Sequence, residues 1–169
     1  RVARAPTKSE PPAKPSTDPR PLIVIDPGHG GIDSGTHGPN GEAGLKGEYF
    51  PNKTLEGAPV LTRIDREVNF DWGMSNPGPG IPSDDFSARW TGKLVANKSG
   101  KYRFGAIADD GARVYLDGKL IAEDWTEHAP ATITGEVTLE AGKSYDVRME
   151  YYESKIGAVA KLVWQPPAV

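Results

Sequence analysis

The dipeptide Asp117-Gly118 lies between two runs in which apolar and polar residues alternate, 113–116 and 119–122. A two-residue connection of this kind needs φ > 0 at both central positions, which glycine adopts without steric cost and aspartate tolerates. A β-hairpin is therefore predicted here, and the surrounding sequence repeats its texture. Segments 46–50, 60–63, 68–70, 86–91, 102–108, 132–139, 145–152 and 158–164 read as further short strands bounded by turn residues. In Tyr102-Phe104-Ala106 and in Tyr145-Val147-Met149-Tyr151 every second side chain is apolar, with Arg103, Asp146, Arg148 and Glu150 between them. Such alternation belongs to antiparallel strands with one face buried and one in water. Ten strands of this length predict an all-β fold, an antiparallel β-sandwich.

Composition agrees. The chain has 20 glycines and 16 prolines in 169 residues, well above the roughly 12% that the two average together, so turns are frequent and long helices disfavoured. The length supports one domain with a stable core and a short appendage. A net charge of −3 offers no electrostatic footprint for nucleic acid. The absence of cysteine rules out a disulfide framework and thiolate metal sites. The longest apolar run, Leu22 to Ile25, is far shorter than the roughly 20 residues that span a bilayer, so no membrane insertion is expected.

Residues 1–20 contain Pro6, Pro11, Pro12, Pro15 and Pro19 among charged and small residues. Such a segment buries too little to offset its ordering entropy, and it is predicted to be a disordered Pro-rich linker. Residues 21–44 differ. Leu22-Ile23-Val24-Ile25 suggests a fully buried parallel strand that delivers the Gly-rich loop Asp26-Pro27-Gly28-His29-Gly30-Gly31. This string resembles the opening of zinc-dependent N-acetylmuramoyl-L-alanine amidases, peptidoglycan hydrolases in which the corresponding histidine is the first zinc ligand. The resemblance implies that role for His29. The family's next ligand, a glutamate, aligns with Gly44, while Glu42 sits two residues early. Three protein ligands plus water are needed for a catalytic zinc site, so His29 reads as a vestigial ligand and zinc is not expected.

Residues 45–166 carry a longer resemblance. Leu45-Lys46-Gly47-Glu48-Tyr49-Phe50, Phe86-Ser87-Ala88-Arg89-Trp90-Thr91-Gly92, Asp109-Asp110-Gly111-Ala112-Arg113-Val114-Tyr115-Leu116-Asp117-Gly118 and Glu150-Tyr151-Tyr152-Glu153 look like the protective-antigen-type domain. That family is a twisted antiparallel β-sandwich attached to bacterial glycosidases, adhesins and toxins and to yeast flocculins. The resemblance implies carbohydrate binding and an extracellular or periplasmic location. In its flocculin branch the paired aspartates are joined by a cis peptide and bind calcium, which in turn holds vicinal sugar hydroxyls. By this resemblance Asp109, Asp110 and Glu153 would be calcium ligands, with backbone carbonyls of Ser154 to Ile156 completing the oxygen shell.

The residues themselves leave a second reading open. Asp109-Asp110-Gly111 also suits a plain turn, with a carboxylate accepting backbone N–H bonds and Gly111 at positive φ. Trp125-Thr126-Glu127-His128 places a ring beside polar groups, a combination that suits a pyranose, although burial tendencies favour Trp125 as a core anchor. Candidate ligand-binding residues are thus Asp109, Asp110, Gly111, Trp125, Glu127, His128 and Lys155. His37 reads as a solvated loop residue. No nucleophile and base constellation is present in the sequence. The expected function is a noncatalytic carbohydrate-binding module for cell-surface or cell-wall glycan, tethered to a cell-wall enzyme. The alternatives are a zinc amidase represented by its first motif and a structural spacer without ligand.

Overall fold

The computed structural model describes residues 20–25, 31–32, 44–155 and 157–167. All ten predicted segments are strands, most running a residue or two past the apolar pattern. In chain order the strands are β1 (Ile23–Val24), β2 (Gly31–Ile32), β3 (Leu45–Phe50), β4 (Leu61–Asp65), β5 (Asn69–Asp71) and β6 (Phe86–Val95). They continue as β7 (Gly100–Asp109), β8 (Gly111–Leu116), β9 (Lys119–Asp124), β10 (Ala131–Leu139), β11 (Ser144–Glu153) and β12 (Val159–Gln165). One sheet has the order β1-β12-β7-β10, with β5 also on β12. The other has the order β4-β3-β6-β11-β8-β9, with β2 on β6. Every pairing between these strands is antiparallel.

Period two decides which residues meet between the sheets. Tyr102, Phe104, Ala106 and Ala108 of β7 face Tyr145, Val147, Met149 and Tyr151 of β11, Phe86, Ala88, Trp90 and Leu94 of β6, and Ala112, Val114 and Leu116 of β8 within one buried cluster. Each large side chain in such a cluster contributes about 1.5–3 kcal/mol through burial. The aromatic rings of Tyr49, Phe70, Trp72, Phe86, Trp90 and Tyr151 contact one another at centroid distances between 4.7 and 6.3 Å.

One carboxylate is built into that aromatic cluster. Asp65, 6% exposed, accepts from Trp90 Nε1 at 2.8 Å and from Arg63 Nε at 2.7 Å. The Tyr49 hydroxyl donates to it as well. Arg63 in turn donates to Tyr49 Oη at 3.0 Å and to the Pro77 carbonyl at 2.8 Å, tying the 76–82 loop to the network. Buried polar groups need such partners, and here one charged pair serves two aromatic heads. Burial first, and then the Asp65 charge, push the Tyr49 hydroxyl well above the usual tyrosine range.

The predicted hairpin is present. Asp117 has φ 50° and Gly118 φ 80°, and β8 pairs antiparallel with β9 across the turn. The expectation for residues 22–25 needs correction. β1 is neither parallel nor fully buried: it lies antiparallel on β12, with Ile23 opposite Trp164, and Ile23 is 47% exposed. Ile25 alone of this run is sealed in the core, its N–H bonded to Leu162 O at 3.0 Å. A continuous apolar run of four suits either kind of strand, and the free side of β12 takes it as an edge. Residues 1–19, 26–30 and 33–43, and with them His29, His37 and Glu42, lie outside the described residues.

Candidate functional site

β7 belongs to one sheet and β8 to the other, and a single residue, Asp110, stands between them. The inward row of β7, Tyr102 to Ala108, continues through Asp110 into Ala112 and Val114 of β8. Likewise the inward row of β11 runs Tyr145, Val147, Met149, Tyr151 and ends at Glu153. Two carboxylates thus occupy positions where the alternation would otherwise place hydrophobes. Asp110 and Glu153 are each 0% exposed and Asp109 is 5% exposed.

The Asp109-Asp110 peptide is cis. One ligand atom from each of Asp109, Asp110 and Glu153 lies within 4.8 Å of the others. Among the described residues this is the one cluster of three or more metal-ligating side chains.

The surrounding backbone holds these groups in place. Asp110 Oδ1 accepts from His128 N–H at 2.9 Å and Oδ2 from Ser154 N–H at 2.8 Å. The Asp110 N–H donates to Tyr152 O at 3.2 Å, and the Tyr151 hydroxyl donates to Asp109 O at 2.5 Å. Two N–H donors on one carboxylate fix its plane. Gly157 borders the pocket, where an added Cβ would sit 3.6 Å from Asp109 Oδ2.

The other candidate residues fall around this pocket in different ways. Gly111 begins β8 where a Cβ would lie 2.3 Å from Tyr152 Cε1; close ring packing, rather than positive φ, requires glycine there. His128 reaches Asp110 through its backbone. Its ring Nδ1 lies 2.6 Å from Ala129 O and its Nε2 3.5 Å from Asp124 Oδ2. Trp125 is partly buried, its ring 4.8 Å from that of Tyr152 and under the Arg113 guanidinium at 3.8 Å. Glu127 and Lys155 are exposed. Ile156 lies outside the described residues.

Sequence reasoning did not find Ser154 as a backbone donor, nor Tyr151 or Arg113 as supports. The direct adjacency of Ser154 to Glu153 was the available signal. Arg113 carried none beyond its outward position on an alternating strand.

An antiparallel sandwich with three carboxylates gathered where the chain passes between its sheets defines a β-sandwich module. The PA14 domain model matches residues 41–169, and the chain belongs to that family. A curated relative, the anti-sigma-I factor RsgI3 of Acetivibrio thermocellus, is 40% identical over 122 residues, 72% of this chain and 19% of that protein. The chain therefore spans about a fifth of the length of that relative. Among solved structures, an anti-sigma factor domain-containing protein superposes with TM-score 0.71 at 39% identity, over 74% of this chain and 43% of that one. The PA14 sugar-binding domain from an RTX adhesin superposes with TM-score 0.55 at 22% identity, over 72% and 89% of the two chains. The epithelial adhesin 9 A domain of Candida glabrata, in complex with Galβ1-4GlcNAc, gives TM-score 0.59 at 12% identity, over 87% and 90%.

Proposed function

We propose that this domain is a noncatalytic carbohydrate-binding module in which a calcium ion, held by Asp109, Asp110 and Glu153, receives the sugar. The observation that carries the reading is the convergence of three buried carboxylates within 4.8 Å. Carboxylates that close repel one another and lose hydration on burial, costs that a bound cation offsets. The donor set is all oxygen, which suits a hard cation that takes six to eight oxygen ligands. Bound by these residues, calcium would supply a hard centre for oxygen ligands such as sugar hydroxyls. The chain's own contribution is to aim the carboxylates: His128 and Ser154 N–H groups clamp Asp110, and the Tyr151 hydroxyl anchors Asp109.

Membership in the PA14 family, and a fold shared with a PA14 sugar-binding adhesin domain and with an adhesin solved with a disaccharide, support the glycan half of this reading. The length of the anti-sigma-I relative supports a module that serves the protein it is attached to. Glycan at a cell surface or wall is the fitting ligand class, and an extracellular or periplasmic setting, with its ample calcium, the fitting location. No helix among the described residues is long and apolar enough to cross a membrane.

The test is calorimetric titration with calcium, followed by a glycan array probed in calcium and in chelator. Wild-type protein should take up one calcium ion and bind glycan only in its presence. Asp110→Asn should weaken calcium by on the order of tenfold or more, since it removes one of three ligand charges. Glycan binding that persists in chelator at full strength would remove calcium from the reading. Silence on the array in both conditions would leave a spacer.

A further inference from the structure

The 125–130 loop between β9 and β10 touches the carboxylate cluster through the His128 N–H on Asp110 Oδ1 at 2.9 Å. The loop has no regular structure, and Glu127, Ala129 and Pro130 are exposed. Thr126 Oγ1 donates to Asp124 Oδ1 and His128 Nε2 lies 3.5 Å from Asp124 Oδ2, and the first residue of the loop adds a ring contact. Trp125 packs on the Tyr152 ring at 4.8 Å and lies under the Arg113 guanidinium at 3.8 Å from its centroid. The absence of a Cβ at Gly111 makes this approach feasible, because that atom would fall 2.3 Å from Tyr152 Cε1 and 3.1 Å from Trp125 Cα.

Arg113 is itself held by a row of charges across the outer face of the second sheet. Register places Glu48 opposite Arg89, Arg89 opposite Glu150, Glu150 opposite Arg113 and Arg113 opposite Glu123. Glu150, 6% exposed, receives Arg113 Nη2 at 3.0 Å and Arg89 Nε at 3.1 Å. Arg113 Nη1 lies 3.9 Å from Glu123. A guanidinium held at one edge by a carboxylate and lying over an indole ring makes two interactions that its planar fork suits and that lysine reproduces only in part.

We propose that Arg113 is a positioning residue for the ligand pocket. Braced by Glu150, it pins Trp125 against Tyr152, and the pinned loop delivers the His128 N–H to Asp110. The charge row on the outer face thereby helps to preorganise a carboxylate buried between the sheets. This inference rests on the calcium reading above.

Substitution separates positioning from simple electrostatics by sign. Removing a positive charge near a cation site strengthens cation binding through the field alone; loosening a loop that orients a ligand weakens it. Arg113→Ala should weaken calcium binding by on the order of tenfold, the lower end of the effect of groups that orient metal ligands. Arg113→Lys should recover part of the loss. Amide exchange without calcium gives a second readout: in Arg113→Ala the His128 amide should exchange faster while the Ser154 amide, also on Asp110 but beside β11, keeps its wild-type rate. Equal or tighter calcium binding by Arg113→Ala, or unchanged His128 exchange, would overturn the proposal while leaving the calcium reading intact. Wild-type protein that binds no calcium would bring down both.

Discussion

Replacing Asp65 by asparagine changes one oxygen into an NH2 group and removes one charge at nearly constant volume. In the native network Oδ1 accepts from Arg63, and Oδ2 accepts from Trp90 and Tyr49. An asparagine oxygen can take only one of those two places. With the oxygen toward Trp90, the NH2 faces the Arg63 donor; turned over, it faces the indole N–H. Either way a buried donor loses its acceptor, a loss of about 1–3 kcal/mol, and the ion pair with Arg63 goes too. Breaking a fully buried pair costs about 3–5 kcal/mol. The side chain of Arg63 is 32% exposed, and its bonds to Pro77 O and Tyr49 Oη survive, so the lower end applies. We expect Asp65→Asn to lose about 3 kcal/mol, read as a lower urea midpoint at unchanged slope, with a Tm decrease on the order of 10 °C. Tyr49→Phe, which leaves Asp65 with its other two donors but takes one acceptor from the partly exposed Arg63, should lose only about 1–2 kcal/mol. A loss below about 1 kcal/mol for Asp65→Asn would mean that the network is solvated in solution, contrary to the burial argument.

Two glycines give the same substitution different outcomes. Gly118→Ala adds a Cβ with nothing within 4 Å but at φ 80°, so it should cost about 1–2 kcal/mol through backbone strain alone and leave calcium and glycan binding at wild-type strength. Gly111→Ala drives a Cβ into the Tyr152 ring and should cost about 1–3 kcal/mol from overpacking while also weakening the pocket; chemical melts and calcium titration of both variants make the comparison. Raised pH probes Tyr49 from another side. Its folded-state pKa lies far above the ordinary 10.0, through burial and then the Asp65 charge. The stability it contributes is therefore complete below about pH 10, where the unfolded chain also keeps the proton, and is lost progressively above it. Tyrosinate absorbance and circular dichroism followed together should show Tyr49 ionising only as the fold is lost. Reversible ionisation of all six tyrosines near pH 10 with the native spectrum intact would contradict this.

Strand-level organisation was open to reading because period two leaves a direct mark on composition: β7 and β11 could be drawn from Tyr102-Phe104-Ala106 and Tyr145-Val147-Met149-Tyr151 alone. The turn at Asp117-Gly118 was equally plain, since few residue pairs tolerate its dihedrals. Asp109, Asp110 and Glu153 could be singled out as chemistry-bearing residues, yet nothing local says that Glu153 arrives beside the other two. That follows from β11 pairing with β8, a contact between positions some forty residues apart. Asp65 shows the limit most clearly. In Thr62-Arg63-Ile64-Asp65 it reads as an ordinary surface carboxylate, and only the distant Trp90 and Tyr49 make it a core residue. The run Leu22 to Ile25 misled for a related reason: apolar content marks a strand but not its direction or its neighbours, which the open side of β12 determines.

The pairing of β1 with β12 also bears on how such a unit can be carried by larger proteins. Ile23 lies opposite Trp164, and the side chain of Gln165 donates to Arg20 O, so the two places where chain enters and leaves the sandwich are neighbours on one edge. Antiparallel partners stand about 5 Å apart, little more than the step between consecutive residues of a single chain. A host could therefore open a surface loop at one peptide bond, accept the whole sandwich there and close again, with almost no displacement of the flanking segments. The pairing that sets these two passages side by side suits insertion at a loop as readily as attachment at an end.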